Sequence, residues 1–548
     1  MNMGRILYGS WKILASIILL ASVGYGQANS STPVSSPANS GLGEQEKSEL
    51  VNKLDQLLEQ NQKLEDHARL VEEQNRQLLD AIRKIREKLA GQPVAGTQAP
   101  EQTLTEKSTP DPANTTGYVN TASVSGPAQP STEPVDAGDV SVTQEEQPQE
   151  KKKWGTYTPN LGFKLAETKY GDLNVSIYAY TRYLNQRLLN ATYTNAFGNT
   201  STIQQRQDFQ LQKVQIKFLG WILNPKFRYF LYTWTSNPTQ GQGAQVVVAG
   251  NLGYVFNKHF TFSAGITSLP GTRSVEGNFP FWLGVDTRLI ADEFFRPSYT
   301  SGIWAKGDIT DNLRYQVMLG NNLSTLGVSA LQLDNNFSTL SSALVWEPLG
   351  DFGVGFGDFE HHEKLAARIG AHFTRSHETA EEQPNSQDFE NTQIRLADGT
   401  IIFTPNLFGP GTTVNTVNTK MADFDSGLKY HGLSLDGEYF MRWLNNFTGS
   451  GAAASLPSLF DQGFQMQASA MLIPKTLQFY AGGSTVFGKF GNPYDTRVGL
   501  NWFPRKNKVI RVNNEFLYLY NSPVGYTSVP FAVGGKGLVF HSNVELAF

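Results

Sequence analysis

Leu173–Tyr183 reads LNVSIYAYTRY, a stretch in which apolar and polar residues alternate one for one. Alternation with a period of two gives an extended strand one apolar and one polar face. The same pattern returns in Leu313–Gly320 (LRYQVMLG), Leu435–Trp443 (LDGEYFMRW), Phe464–Leu472 (FQMQASAML), Thr496–Trp502 (TRVGLNW) and the terminal Val544–Phe548 (VELAF). Short turns punctuate these strands at Leu223–Lys226, Asn257–His259, Asp308–Asn312, His431–Gly432, Pro474–Thr476 and Pro504–Lys508. Longer Gly- and Asn-rich connections such as Asn185–Gln207 and Ser376–Lys420 fall between them. With a less regular turn near Gly350–Lys364, residues 154–548 make about sixteen antiparallel strands. Short turns on one rim and long loops on the other are the asymmetry of a transmembrane β-barrel. A soluble sandwich or propeller also has many short strands. Aromatic residues at strand ends favour the membrane, where amphipathic rings sit at headgroup level: Tyr254, Phe256, Phe260, Phe262, Tyr439, Trp443, Trp502, Phe516, Tyr518 and Tyr520.

The balance of the 548 residues agrees. Aromatics make up 12 % and Gly occupies 51 positions, against 39 % hydrophobic residues, which suits a protein whose apolar atoms face outward. The absence of cysteine excludes a disulfide framework, thiolate metal centres and a cysteine nucleophile. Forty-five basic residues against 49 acidic ones argue against a nucleic-acid partner.

Ahead of the strands the chain changes character three times. Arg5 and Lys12 precede the apolar run Ile13–Val23, and small residues follow at Gly24, Gly26 and Ala28, the pattern of a secretory signal over 1–26. An uncleaved anchor is the alternative, although the run is too short to span hydrocarbon as a helix. Residues 27–45 read as disordered, and 46–90 carry a heptad. Leu54, Asn61, Ala68, Asn75, Ile82 and Leu89 fall at a; Leu50, Leu57, Leu64, Val71, Leu78 and Ile85 fall at d. Six heptads in one register predict a coiled coil of roughly 65–70 Å at ~1.5 Å per residue, and a single docked amphipathic helix is the rival reading. Asn at a fixes register and is commoner in two-stranded coils, which leaves strand number open. Residues 91–153, rich in Pro, Thr and Gln, read as a disordered linker.

The polar face of each strand becomes the candidate pore lining. Its basic members are Arg182, Lys213, Lys217, Arg314, Arg368, Lys429, Arg442, Arg497 and Arg511; its acidic ones are Asp423, Asp425, Asp436, Glu438, Glu515 and Glu545. The excess of basic groups leans toward anions. The apparent change of phase between Leu211 and Val214 makes Lys213 the least secure member. Between the fifth and sixth strands, Leu269–Ser298 carries Phe279, Phe281, Trp282, Phe294 and Phe295 and must bury them. Folding back into the barrel does so and places Arg273, Glu276, Asp286, Arg288, Asp292, Glu293 and Arg296 at a constriction, where opposed charges set a transverse field. Packing on a neighbouring protomer is the alternative. His361, His362 and Glu363 lack the spacing of a helical metal motif and read as a polar turn. No nucleophile, base and orienting group stand together, so no enzyme, cofactor or metal site is expected.

Ala291–Gly307 (ADEFFRPSYTSGIWAKG) and Arg497–Phe503 (RVGLNWF) followed by Val509–Tyr518 resemble the phosphate-selective porin O and P family over roughly 157–548. The resemblance implies a homotrimeric sixteen-stranded porin in the outer membrane of a Gram-negative-type bacterium, with its third loop narrowing each pore. It also implies a three-stranded rod. The family's anion preference comes from stacked arginines and a lysine cluster; Lys213, Lys217 and Lys306 are the nearest counterparts, and the acidic third loop departs from strict phosphate selectivity. The expected function is passive diffusion of small hydrophilic solutes with an anion lean. Outer-membrane lipid surrounds the barrel, and the periplasmic rod serves trimerisation or contact with peptidoglycan. A barrel that merely anchors the rod, its lumen plugged, is the competing reading, followed by an outer-membrane enzyme or specific uptake channel.

Overall fold

The computed structural model describes residues 157–158, 161–236, 245–275, 281–324, 337–353, 355–383, 393–526 and 529–548. The signal, rod and linker expected over 1–153, and Glu276, lie outside the described residues. Sixteen strands close a barrel within one antiparallel sheet, to which the short strands Tyr157–Thr158 and Gly162–Thr168 add at its start. The first eight are β1 (Gly171–Leu189), β2 (Gln207–Ile222), β3 (Asn224–Ser236), β4 (Gln245–Asn257), β5 (Phe260–Ser268), β6 (Tyr299–Thr310), β7 (Leu313–Gly320) and β8 (Thr339–Trp346). The rest are β9 (Ala366–Thr379), β10 (Thr413–Tyr430), β11 (Leu433–Ser450), β12 (Leu459–Ile473), β13 (Leu477–Phe487), β14 (Tyr494–Trp502), β15 (Ile510–Tyr520) and β16 (Gly537–Ala547).

Each strand pairs with its neighbour in sequence, and β16 pairs with β1 from Ala547↔Tyr178 to Gly537↔Leu189. That last ladder closes the sheet into a barrel and leaves no free edge, which excludes the sandwich and the propeller. Beyond Phe548 the same edge of β1 is taken up by the short strand Gly162–Thr168, so both ends of the barrel chain lie on the rim of short turns. Two strands run further than the turn residues suggested. β9 continues to Thr379 and β10 begins at Thr413, because Ser376, His377 and Glu378 pair with Thr419, Asn418 and Val417 despite their polarity.

Along β1 every second residue from Asn174 to Gln186 is buried: Asn174, Ser176, Tyr178, Tyr180, Arg182, Leu184 and Gln186. On β15 and β16 the pattern is as regular, with Glu515 and Glu545 fully buried while Phe516 and Val544 are half exposed. At β2 the register with β1 slips between Tyr180↔Lys213 and Thr181↔Leu211, a bulge at Gln212 that restores Lys213, Gln215 and Lys217 to one face. The outer surface carries Leu231, Val248, Phe256, Phe373, Phe464 and Trp502, all exposed. Apolar side chains outside and polar ones inside reverse the arrangement of a soluble barrel, and a closed sheet satisfies every backbone group that lipid would strand.

Candidate functional site: the loop-filled lumen

The connection from Leu269 to Ser298, hereafter L3, folds into the barrel. Residues 281–297 are all buried. Trp282, Leu283 and Val285 pack with Tyr178, Tyr180 and Tyr480 of the far wall. Helix α1 (Ile290–Phe295) follows, with Phe295 stacked on Phe440 of β11 at 5.3 Å. A Cβ on Gly463 would lie 2.6 Å from the Phe295 ring, so glycine there makes the recess the ring occupies. Leu289 offers no side-chain cap to α1, and the wall caps it instead. Ser484 Oγ accepts the Ala291 N–H at 3.0 Å, and Asp495 accepts that of Ile290 at 3.3 Å.

Between Trp282 and Thr287 four wall side chains grip the loop backbone. Arg511 donates to the Trp282 carbonyl (2.7 Å), Asn501 to that of Leu283 (2.9 Å), Arg182 to that of Val285 (2.9 Å) and Arg497 to that of Thr287 (3.1 Å). Asp286, held at φ +48°, receives the Lys213 ammonium and the Tyr180 hydroxyl, each at 2.7 Å. The guanidinium groups are compensated as well as engaged. Arg511 pairs with Glu545, and Arg497 lies 3.7 Å from Glu515, which also takes His541.

Within L3 the opposed charges find one another instead of facing each other across an opening. Arg288 and Arg296 flank Glu293 at 3.1 and 2.8 Å, and Arg288 lies 3.7 Å over the Trp282 ring. Asp292 accepts the Ser274 hydroxyl at 2.8 Å. Two guanidinium groups thus share one carboxylate within the loop, while Asp286 is neutralised by the wall. Arg273 leaves the loop for the wall, 3.0 Å from Asp436, with its backbone N–H on Glu438 at 2.8 Å. Arg368 pairs with Asp425 at 2.7 Å and Arg442 with Asp461 at 2.7 Å, while Arg314 pairs with Glu347 at the turn rim. Lys217 is half buried on β2, and Lys306 lines a small hollow on β3–β6 with Arg228, Asn251 and Ser263.

A second segment enters from the opposite rim, where the sequence suggested only a polar turn. Between β8 and β9 the chain turns inward, burying Phe352 fully and Phe356 nearly so. The Arg273 guanidinium lies over both rings, at 5.1 and 4.6 Å. The Phe356 N–H reaches the Phe281 carbonyl of L3 at 2.8 Å, and Lys429 donates to the Phe352 carbonyl at 2.8 Å. Three phenylalanines among glycines in DFGVGFGDFE, Phe352 and Phe356 among them, were the available signal. The segment is tied down beside His362, where Asp358 takes the imidazole, the His362 N–H at 3.1 Å and the Gly432 N–H at 2.7 Å.

This clamp is pH-dependent. The hydrogen bond that Asp358 accepts from the imidazole raises the His362 pKa above the ordinary 6.5; burial opposes this, and the carboxylate's charge adds to it. Burial pushes Asp358 up, but the His362 side chain and the two backbone donors outweigh it and hold Asp358 below 3.8. The imidazole's contribution is complete below pH 6.5 and disappears as pH rises through its raised pKa; the carboxylate's is complete above 3.8 and disappears as pH falls through its lowered one. Protection of the described amides in residues 347–365, taken relative to the intrinsic exchange rate at each pH, should therefore be greatest between those limits and fall on either side. A His362→Ala variant should lose the alkaline limb; if it keeps that limb, the assignment to His362 fails.

A closed sixteen-strand barrel with an apolar exterior and a polar, loop-filled interior is a membrane-spanning barrel. Among solved structures the chain is similar to OmpT, an outer-membrane protein of Vibrio cholerae (TM-score 0.43, 10 % identity, 70 % of this chain and 99 % of that one). It is also similar to an anion-selective porin from Comamonas acidovorans (TM-score 0.43, 8 % identity, 69 % and 100 %). The outer-membrane channel DcaP of Acinetobacter baumannii gives a TM-score of 0.40 at 9 % identity, over 70 % and 99 %. No family model and no curated protein matches the chain.

Proposed function

We propose that the protein is a homotrimeric outer-membrane porin that passes small hydrophilic solutes by passive diffusion, with a phosphate-type preference for anions. The observation that supports this reading is a charged loop laid across the lumen of a closed barrel and anchored to its far wall. The pathway then runs beside the near wall, where Lys217, Arg228 and Lys306 supply positive potential. The other candidate pore-lining groups, Lys213, Arg314, Arg368, Arg442, Arg497 and Arg511, act mainly by holding L3 and the wall charges in place. Single-channel recording of the purified protein in planar bilayers tests the reading: conductance in steps of three, with a reversal potential under a salt gradient on the anion side. Replacing Arg228 and Lys306 by Ala should move that potential toward cations, and an unchanged potential would sink the assignment of selectivity to the near wall.

The competing reading, a plugged barrel that anchors the rod, is favoured by the two segments that meet inside, at Phe281 and Phe356. Electrical silence from folded, heat-modifiable protein would support it. The heptad at 46–90 serves trimerisation or peptidoglycan contact from the periplasm, since both ends of the barrel chain lie on the turn rim. Deleting Glu46–Ala90 should weaken trimer stability or cell-wall association, and no change in either removes the proposal.

A further inference from the structure

On β9 and β10, one donor atom each from His372, Asp423 and Asp425 lies within 4.8 Å of the others, and all three residues are buried. The ladder sets His372 directly opposite Asp423 and Gly370 opposite Asp425. A Cβ on Gly370 would lie 1.7 Å from Asp425 Oδ2, so glycine is what lets that carboxylate lean across toward His372. His372 Nδ1 lies 3.1 Å from the Pro270 carbonyl at the root of L3. A carbonyl only accepts, so Nδ1 carries the hydrogen, and Nε2 on the far side of the ring is the atom left to serve as a ligand once any hydrogen of its own is displaced. Nε2 faces carboxylates, with Asp425 Oδ2 at hydrogen-bond distance (3.0 Å) and Asp423 Oδ1 at 3.8 Å.

The surrounding charges do not balance this arrangement. Arg368 compensates Asp425 and Arg273 compensates Asp436. Neither oxygen of Asp423 receives a hydrogen bond from an N–H or hydroxyl donor among the described residues, although the side chain is only 2 % exposed, and the group beside it is another carboxylate, Glu438. The nearby charge of Glu438 adds to its own; that carboxylate is held by the Arg273 N–H and the Gln465 amide. An imidazole nitrogen and two carboxylates that converge within 4.8 Å, one of them with no N–H donor of its own, make a place for a cation between them.

We infer that His372 Nε2, Asp423 and Asp425 bind a divalent first-row cation of the zinc or manganese class in the barrel wall, with Glu438 beside them as a further oxygen donor. A mixed nitrogen and oxygen set suits such an ion better than calcium or magnesium, which prefer all-oxygen shells. The Pro270 carbonyl on Nδ1 is the outer contact that orients a metal-binding imidazole. Through it, the ion ties the root of L3 to the wall, whether or not the lumen conducts.

The test uses the full-length protein in detergent, stripped with EDTA and titrated with Zn²⁺ by calorimetry and metal analysis. One ion per chain is expected, with affinity falling at least about tenfold in Asp423→Asn and in His372→Gln while heat-modifiable mobility stays native. Anomalous scattering at the zinc edge from wild-type crystals gives an independent reading, with a peak expected beside Nε2. A wild type that takes up no Zn²⁺, a peak elsewhere, or an Asp423→Asn variant that binds undiminished would each overturn the inference. The cluster would then be held by a proton on His372 or on the Asp423–Glu438 pair.

Discussion

Arg511→Ala is expected to cost about 3–5 kcal/mol of barrel stability, the loss that follows when one member of a buried ion pair is removed and the other stays charged. Arg511 and Glu545 are both fully buried on adjacent strands, and the same guanidinium holds the Trp282 carbonyl of L3. Its removal leaves a carboxylate without a cation and a loop backbone without a donor at one stroke. Guanidinium unfolding in lipid vesicles would measure the first effect, and a double variant with Glu545→Gln should recover a large part of it because the stranded charge is gone. L3 should also loosen, so channel noise should rise in Arg511→Ala above wild type. A loss below about 1 kcal/mol would mean that water or another cation reaches Glu545, contrary to its burial.

The second large effect concerns the segment entering from the turn rim. Phe352 and Phe356 hold it against Arg273, and their replacement together by Ala removes both rings from under one guanidinium. Conductance should then increase by about twofold or more if this segment obstructs the pathway, because the narrowest cross-section limits the current. The barrel itself should survive, since its ladder does not depend on residues 347–365. Unchanged conductance with a folded barrel would place the pathway clear of this segment. Current appearing in a silent wild type would instead identify the segment as the plug.

These two predictions rest on parts of the molecule that differ in how far they could be read beforehand. The inner face of the strands was legible: Arg182, Arg368, Arg442, Arg497 and Arg511 alternate with apolar residues, and all five are buried within the barrel. Period-two geometry is local, so a few neighbouring residues suffice to assign a face. The bulge at Gln212 disturbed it, and there the extra residue was visible as a break in phase. The inward course of L3 was legible too, because five aromatic rings in a loop have to be buried. Partners were not. Nothing near Arg511 in the chain says that it meets Trp282, 229 positions away, or that Arg288 and Arg296 share Glu293 across one turn of α1 instead of facing an opposing wall.

The sequence alone therefore determined a barrel pattern, its inner and outer faces and the terminal strand, since each follows from a repeat of two residues in continuous chain. Tertiary structure decided what the charges do. Sheet closure and register bring His372 to Asp423, Arg511 to Glu545 and Phe356 to Phe281. A charge in a low-dielectric interior takes its role from the group a few ångströms away, and that group is chosen by the fold, not by its neighbours in sequence.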